Sequence, residues 1–493
     1  MTLAEERLRQ LDNPLFTEEE RALLRCRIAA EFIHAGQYEA AREALGELWR
    51  GLGERPEVDG MPPAVAAEVL LQCGTLSGLL GSAMNVLGGQ ERAKDLLTEA
   101  ARGFRSHGNY RKASEAQCEL GACYWRLGAH DDARVMMREA LKPLTESDVE
   151  LKAKIHIRRT LVEISENRYQ DALGILKEAE PVFASANNAT KAKWHGQKAL
   201  VLDMLATAER KTYLFDSAVI EYTAAIYHYE LAKHERYCAR NLNNLAMLLY
   251  KLGRYEEAHE QLDRAGAIFT RLKDPGNLAQ VDETRARVLV AERKYREASR
   301  ILNSAIQTFE RGGESALLAD ALTLQGVVWA RRGAYEESAN VMRRAADMAE
   351  GLGAQSTAGR ALLTFVEEHG ERRAIPPEEV YEAYLRADRL LEGTQDAEDV
   401  GRLRACSQVV MRRLTGVRLH DRNFSFYGAI HELEARLIEE ALEEAGGSVV
   451  GAARLLGLKH QTFTSMLQSR HQKLLSKRTP RERRLKSIIK RDA

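Results

Sequence analysis

The residues with the plainest chemistry are cations gathered at one end of the chain. From Lys459 to Ala493 there are eleven Lys and Arg against Glu482 and Asp492, so this end carries +9. The whole chain balances 72 basic against 72 acidic residues, and residues 1–458 must therefore sum to −9. A compact basic terminus on an acidic body is the pattern of an anion-binding segment. Covalent chemistry finds no comparable foothold. No Walker-type phosphate loop occurs, HELEA at 431–435 lacks the second histidine of a zinc-binding HExxH, and no Ser–His–Asp set stands out. The histidines are dispersed, with His460 and His471 reading as helix-surface or nucleic-acid-adjacent residues. The expectation is a chain that is not an enzyme and needs neither metal nor cofactor.

Three short segments position these cations. An amphipathic helix from Ile430 to about Ala445, with Leu433, Leu437, Ile438, Ala441 and Leu442 on one face, is broken by Gly446–Gly447. A short helix follows, carrying Ala452–Ala453 and Leu455–Leu456, and Gly457 supplies the positive φ of a tight turn. A third helix begins near His460 with Phe463 and Leu467 facing inward. Small residues let the short helices cross closely and leave the third able to enter a groove, which is a helix-turn-helix written as sequence.

Composition bounds what lies before it. With 45% apolar, 29% charged and 6% aromatic residues and ten prolines, the chain reads as mostly helical and soluble. The six cysteines form no CxxC pair and fall at apolar helix positions, so reduced core thiols in a cytoplasmic protein are expected. The charged start MTLAEERLRQLD lacks a signal peptide's apolar segment. Val69–Gln90 is uncharged but holds five glycines and several polar residues, reading as a buried helix and its turn, not a membrane span.

One phrase recurs along the body: HAGQYEAAREAL, KLGRYEEAHEQL, AERKYREASRIL, RRGAYEESANVM. Its small anchor falls at Ala41, Ala93, Ala133, Ala172, Ala218, Ala258, Ala298 and Ser338, with spacings of 52, 40, 39, 46, 40, 40 and 40. Twelve residues earlier come Ala29, Gly81, Gly121, Thr160, Ala206, Ala246, Ala286 and Gly326. Seven residues later come Leu48, Ala100, Ala140, Ala179, Ala225, Ala265, Ala305 and Ala345. Small residues at such positions let the helices of successive hairpins pack closely. The pattern resembles the tetratricopeptide repeat over roughly residues 20–350, with a period longer than that family's 34 residues. A ninth hairpin is expected over 356–392, and GTQDAED (393–399) is the candidate hinge. The predicted fold is therefore all-α: a tetratricopeptide-like superhelical solenoid (1–392), a linker and connecting helix (393–429), the helix-turn-helix (430–475) and a basic tail (476–493).

The resemblance implies a concave face lined by each repeat's first helix. Register places Arg240, Asn243, Asn244 and Met247 there, flanked by Asp203 and Thr207 on one side and Glu283 and Arg287 on the other. Asparagines can bond the backbone of an extended peptide, and Arg240 with Arg287 can pair an acidic group. The same asparagines can equally satisfy neighbouring loops of the array.

The terminal segment resembles the Fis-type helix-turn-helix through EARLIEEAL (434–442), Gly446–Gly447, Ala452–Ala453, Leu455, Gly457, Leu458, Thr462, Phe463 and Leu467. That family's units occur alone and at the C-terminus of bacterial enhancer-binding activators. The resemblance implies that Thr462 touches backbone phosphate at the start of the recognition helix. Gln461, Thr464, Ser465 and Gln468 would form the face offered to the major groove, beside His460. Lys459, Arg470 and Lys473 would hold phosphates, with Lys477, Arg478 and Arg481 of the tail adding to the grip. It further implies pairing of the long helices into a homodimer suited to two DNA half-sites. This chain departs from the family at Thr464, Ser465 and Met466, where Lys or Arg is usual. Met466 has no place on a DNA face and could pack against another protein surface. Two functions stay open: a DNA-binding transcriptional regulator whose array senses a peptide or protein, and an interaction scaffold whose terminal helices dimerise or bind a partner.

Overall fold

The computed structural model describes residues 16–478, apart from residues 35, 84–85, 87, 373, 395 and 416–424. Every regular element among the described residues is helical. Eight hairpins follow the repeat register. They pair α1 (Glu18–His34) with α2 (Tyr38–Leu45), α3 (Pro63–Ala83) with α4 (Gly89–Ser106), and α5 (Tyr110–Arg126) with α6 (His130–Leu141). Next, α7 (Val149–Ser165) pairs with α8 (Tyr169–Glu178), a short α9 (Glu180–Ser185) intervenes, and α10 (Asn188–Glu209) pairs with α11 (Tyr213–Leu231). Then come α12 (Glu235–Lys251) with α13 (Tyr255–Arg271), α14 (Pro275–Ala291) with α15 (Tyr295–Gly312), and α16 (Ser315–Arg331) with α17 (Tyr335–Gly351). The expected ninth hairpin is α18 (Gln355–His369) with α19 (Pro377–Leu390).

The anchors earn their small size by burial. Ala41, Ala93, Ala133, Ala172, Ala218, Ala258, Ala298 and Ser338 all lie at 0% exposure. Their partners twelve residues earlier are buried too, and a Cβ at Gly121 would meet Met137 Cγ at 2.9 Å. In each of the eight repeat hairpins the helices join through a turn with a left-handed residue. At Gly253 (φ +73°) Arg254 N–H donates to Leu249 O at 2.9 Å, closing the helix end. The 46-residue spacing is accommodated by α9, whose Phe183 stacks on Trp194 at 5.5 Å.

All six cysteines are free and buried. Burial pushes the Cys123 thiol up to about 11 and that of Cys406 to about 12. Pro63–Ser82 is the one helix among the described residues long and apolar enough to cross a membrane, and 78% of it is buried within the protein.

The chain forms two compact units, Met1–Glu314 with Gln395–Glu398, and Ser315–Thr394 with Asp399–Ala493. In the second, α20 (Ala397–Thr415) packs on α18. Arg360 grips Asp399 through two bonds of 2.8 and 2.9 Å, and Arg402 reaches Glu367 at 2.8 Å. The end of the expected hinge is thus the anchored first turn of a helix, with Asp399 only 1% exposed.

Candidate nucleic-acid interface

The terminal frame begins four residues earlier than its apolar pattern shows. Ser425 caps α21 (Phe426–Glu444), its Oγ accepting from Gly428 N–H at 3.1 Å. Gly446 and Gly447 are both left-handed (φ +58° and +80°), and Gly447 N–H donates to Leu442 O at 2.7 Å. Ser448 then caps α22 (Val449–Leu455) through Gly451 N–H. Gly457 (φ +66°) makes the turn, with Leu458 N–H donating to Ala453 O at 2.8 Å, and α23 (His460–Ser469) follows. Ile438, Ala441, Leu442, Ala452, Ala453, Phe463 and Leu467 form one core, with Leu456 and Leu458 packed against it. Two expectations change. Leu455 is 52% exposed, and Met466 packs on this core, so the domain's own interior explains the methionine.

The outward side of α23 gathers His460, Gln461, Thr464, Ser465, Gln468 and Ser469 along one shallow groove. Thr464 Oγ1 donates to His460 O at 2.8 Å and Ser469 Oγ to Ser465 O at 2.7 Å. With their protons engaged, these two hydroxyls present acceptor lone pairs outward. The side-chain amides of Gln461 and Gln468 are exposed and make no hydrogen bond among the described residues. Thr462 is also exposed.

The cations divide into two sets. Lys459, Lys473 and Arg478 are exposed and carry no ion pair among the described residues. Arg454 on α22 joins them; the sequence reading passed over it because it lies between two apolar residues. Arg470 instead meets Glu434 at 3.5 Å. Lys477 pairs with Glu439 and, at 2.5 Å, with Glu443. The 3-10 turn Gln472–Lys477 folds back along α21, whose acidic side thereby takes up both charges. Arg481 lies outside the described residues.

His471 requires a correction: it is 4% exposed, not a surface residue. Its ring lies 4.4 Å from that of His431, and its Nε2 is 3.2 Å from Glu434 Oε2. His431 Nε2 bonds Arg470 O at 2.9 Å. This cluster fixes the chain's exit from α23. Only the turn back onto α21 brings His431, Glu434 and His471 together.

The long helix also divides differently from expectation. Ile438, Ala441 and Leu442 are buried in the domain core, whereas Ile430, Leu433 and Leu437 stay 39%, 41% and 45% exposed along the flank. Its apolar arc is wider than one domain's core covers.

The expected groove residues of the array are partly engaged. Asp203 holds Lys251 at 2.9 Å, and Arg287 is bound by Glu283 at 2.6 Å on the same helix, so it is not paired with Arg240 to await an incoming acid. Arg240 and Asn244 are exposed, Met247 is half-buried, and Asn243 Oδ1 is buried without a partner.

Residues 429–465 match the family model described as bacterial regulatory protein, Fis family. The terminal unit is a Fis-type helix-turn-helix, and the hairpins before it are of tetratricopeptide type. No curated protein matches the chain. Among solved structures, the chain is similar to a Rap protein complexed with competence and sporulation factor (18% identity, 75% of this chain and 100% of that one, TM-score 0.47). It is also similar to the tetratricopeptide-sensor STAND protein PH0952 from Pyrococcus horikoshii (13%, 83% and 68%, TM-score 0.47). Yeast Tom70 is a third (13%, 88% of each chain, TM-score 0.44).

Proposed function

We propose that this protein is a non-catalytic, DNA-binding transcriptional regulator of the bacterial cytoplasm, acting as a homodimer whose hairpin array takes a peptide or protein partner. One observation carries the reading: α23 presents Gln461 and Gln468 with uncommitted amides, flanked by Lys459 and Lys473, which carry no ion pair among the described residues, on a frame whose first two helices are capped by Ser425 and Ser448. A glutamine amide matches the N6/N7 edge of adenine bidentately, and lysines hold the flanking phosphates. The exposed flank Ile430–Leu433–Leu437 supports pairing of two copies of α21.

Selection from fragmented genomic DNA with the full chain should recover preferred sites. Gln461→Ala and Gln468→Ala should each cost about 1–3 kcal/mol on those sites and little on random DNA. Equal losses on both kinds of DNA, or binding that survives deletion of residues 430–493, would overturn the reading.

The scaffold reading draws on a different observation, the lack of any Lys or Arg from His460 to Ser469. A stoichiometric protein partner bound by the terminal helices, with no DNA preference above the nonspecific level, would decide for it.

A further inference from the structure

The exposed flank of α21 is apolar at one end and acidic at the other. Ile430, Leu433, Leu437, Glu440 and Glu444 recur three and four residues apart, so they lie in one row along the helix. The three apolar members are 39%, 41% and 45% exposed, and the two carboxylates that continue the row are exposed as well. Glu440 and Glu444 carry no ion pair among the described residues. By contrast, Glu434 meets Arg470 and His471, and Glu439 and Glu443 are taken by Lys477. Arg436, the one arginine of α21, is engaged with Leu414 O at 2.7 Å. A second copy of α21 offers six glutamates and one arginine, and so brings little to neutralise the acidic end.

The chain supplies a complementary segment beside this row. Lys477, held by Glu439 and Glu443, brings the last described residues alongside the acidic end of α21. Residues 479–493, which lie outside the described residues, read TPRERRLKSIIKRDA and hold six Lys and Arg against two acids. Thr479–Pro480–Arg481–Glu482 is a helix-start pattern, with Thr as cap, Pro in first position and Glu three residues after the cap. On the helix this pattern predicts, Arg481, Arg484, Leu485 and Ile488 share one face, with Ile489 at its edge. Arg483, Lys486 and Lys490 fall on the opposite face. Cations come first along the shared face and apolar residues second, which is the order of α21 taken from Glu444 backwards. The lengths agree too: Arg481 to Ile489 would rise about 12 Å, against about 11 Å from Glu440 to Leu433.

We propose that the exposed flank of α21 is a docking surface for this chain's own residues 479–491, laid antiparallel to it as an amphipathic helix. Arg481 and Arg484 pair with Glu444 and Glu440, and Leu485 and Ile488 cover Leu437 and Leu433. The segment holds the flank of the unpaired chain, so two copies of α21 must displace it to meet, which frees its cations for DNA. That consequence rests on the dimeric regulator proposed above, whereas the docking itself does not.

The test uses the full chain and a fluorescein-labelled peptide of residues 479–493. In the parent the resident segment occupies the flank, and in a variant with Leu485, Ile488 and Ile489 all changed to Ser the flank is open. The peptide should therefore bind the triple variant at least about tenfold more tightly than the parent. Adding Glu440→Lys to that variant should weaken the peptide about tenfold, and a peptide carrying the same three serines should be weakened at least as much. Glu440 is exposed, and retained helical signal and melting temperature confirm the fold. Equal binding to parent and triple variant, no effect of Glu440→Lys, or equal binding of the two peptides would each overturn the proposal. Dimer mass is read separately by light scattering. Tighter pairing in the triple variant supports displacement of the segment, and an unchanged dimer that takes up no peptide shows that the second copy alone covers the flank, which overturns it. A chain that stays monomeric and still shows the peptide difference refutes the homodimer and upholds the docking.

Discussion

The division of the terminal cations into engaged and unengaged sets has a quantitative consequence for DNA binding. Each phosphate neutralised on duplex DNA steepens log K against log salt by about 0.9. Arg454, Lys459, Lys473 and Arg478 carry no ion pair among the described residues, so they contribute a slope of about −3.6 per copy and about −7 for a pair on two half-sites. Lys477 is already neutralised by Glu439 and Glu443, the latter at 2.5 Å, and has no such counterion exchange to offer. Replacing Lys459 or Lys473 by Ala should therefore flatten the slope by about 0.9 per copy and weaken binding about eightfold per contact near 0.1 M salt. Lys477→Ala should leave the slope nearly unchanged. Because each variant is compared with the parent chain, the contribution of residues 479–493 cancels. The assay is fluorescence anisotropy of a labelled duplex titrated with protein from about 50 to about 200 mM salt, a range over which screening stays moderate. A Lys477→Ala slope change as large as that of Lys459→Ala, or no change in any of the three, would refute the assignment of phosphate contacts.

Two further outcomes follow from buried and exposed groups. Leu433 and Leu437 are each more than half-covered already, so pairing two copies of α21 adds on the order of 1 kcal/mol per leucine, and changing both to Lys should weaken the dimer about a hundredfold or more. Light scattering after gel filtration checks this; an unchanged mass would remove α21 from the interface. His369, at 0% exposure, accepts no proton cheaply: burial, then Arg372 and Arg343, push its imidazole down to about 4. Its ring bonds Ser338 Oγ at 3.0 Å while Nδ1 has no partner. The folded value lies below the unfolded one, so stability is complete above about pH 6.5 and is lost as pH falls toward about 4, on the order of 3 kcal/mol from this residue. Urea midpoints of the parent and His369→Gln should converge across that window, and parallel curves would contradict the buried, neutral imidazole.

The hairpin array was legible residue by residue. Its helices are held together by small residues at fixed separations, so Ala258 and Ala246 or Ser338 and Gly326 report a close crossing without knowledge of anything distant. The helix-turn-helix frame was legible for the same reason, since Gly446, Gly447 and Gly457 mark turns that only their backbone freedom permits. The outward face of α23 followed directly, because Phe463 and Leu467 fix which way the helix must turn. What could not be read were the fates of individual charges. Lys459 and Lys477 look alike in the chain, and only the fold-back of the last turn onto α21 neutralises one of them. Arg287 and Arg240 likewise differ only through Glu283. The pairing of Glu119 with Lys154 and Arg158 is more distant still. It exists because α5 and α7 stand side by side, and electrostatic pairing depends on such separations through space, which the order of residues does not encode. Sequence alone determined the hairpins, the turns and the reading helix, because these are set by local geometry and burial. Tertiary structure decided which of the charges remain available to a ligand.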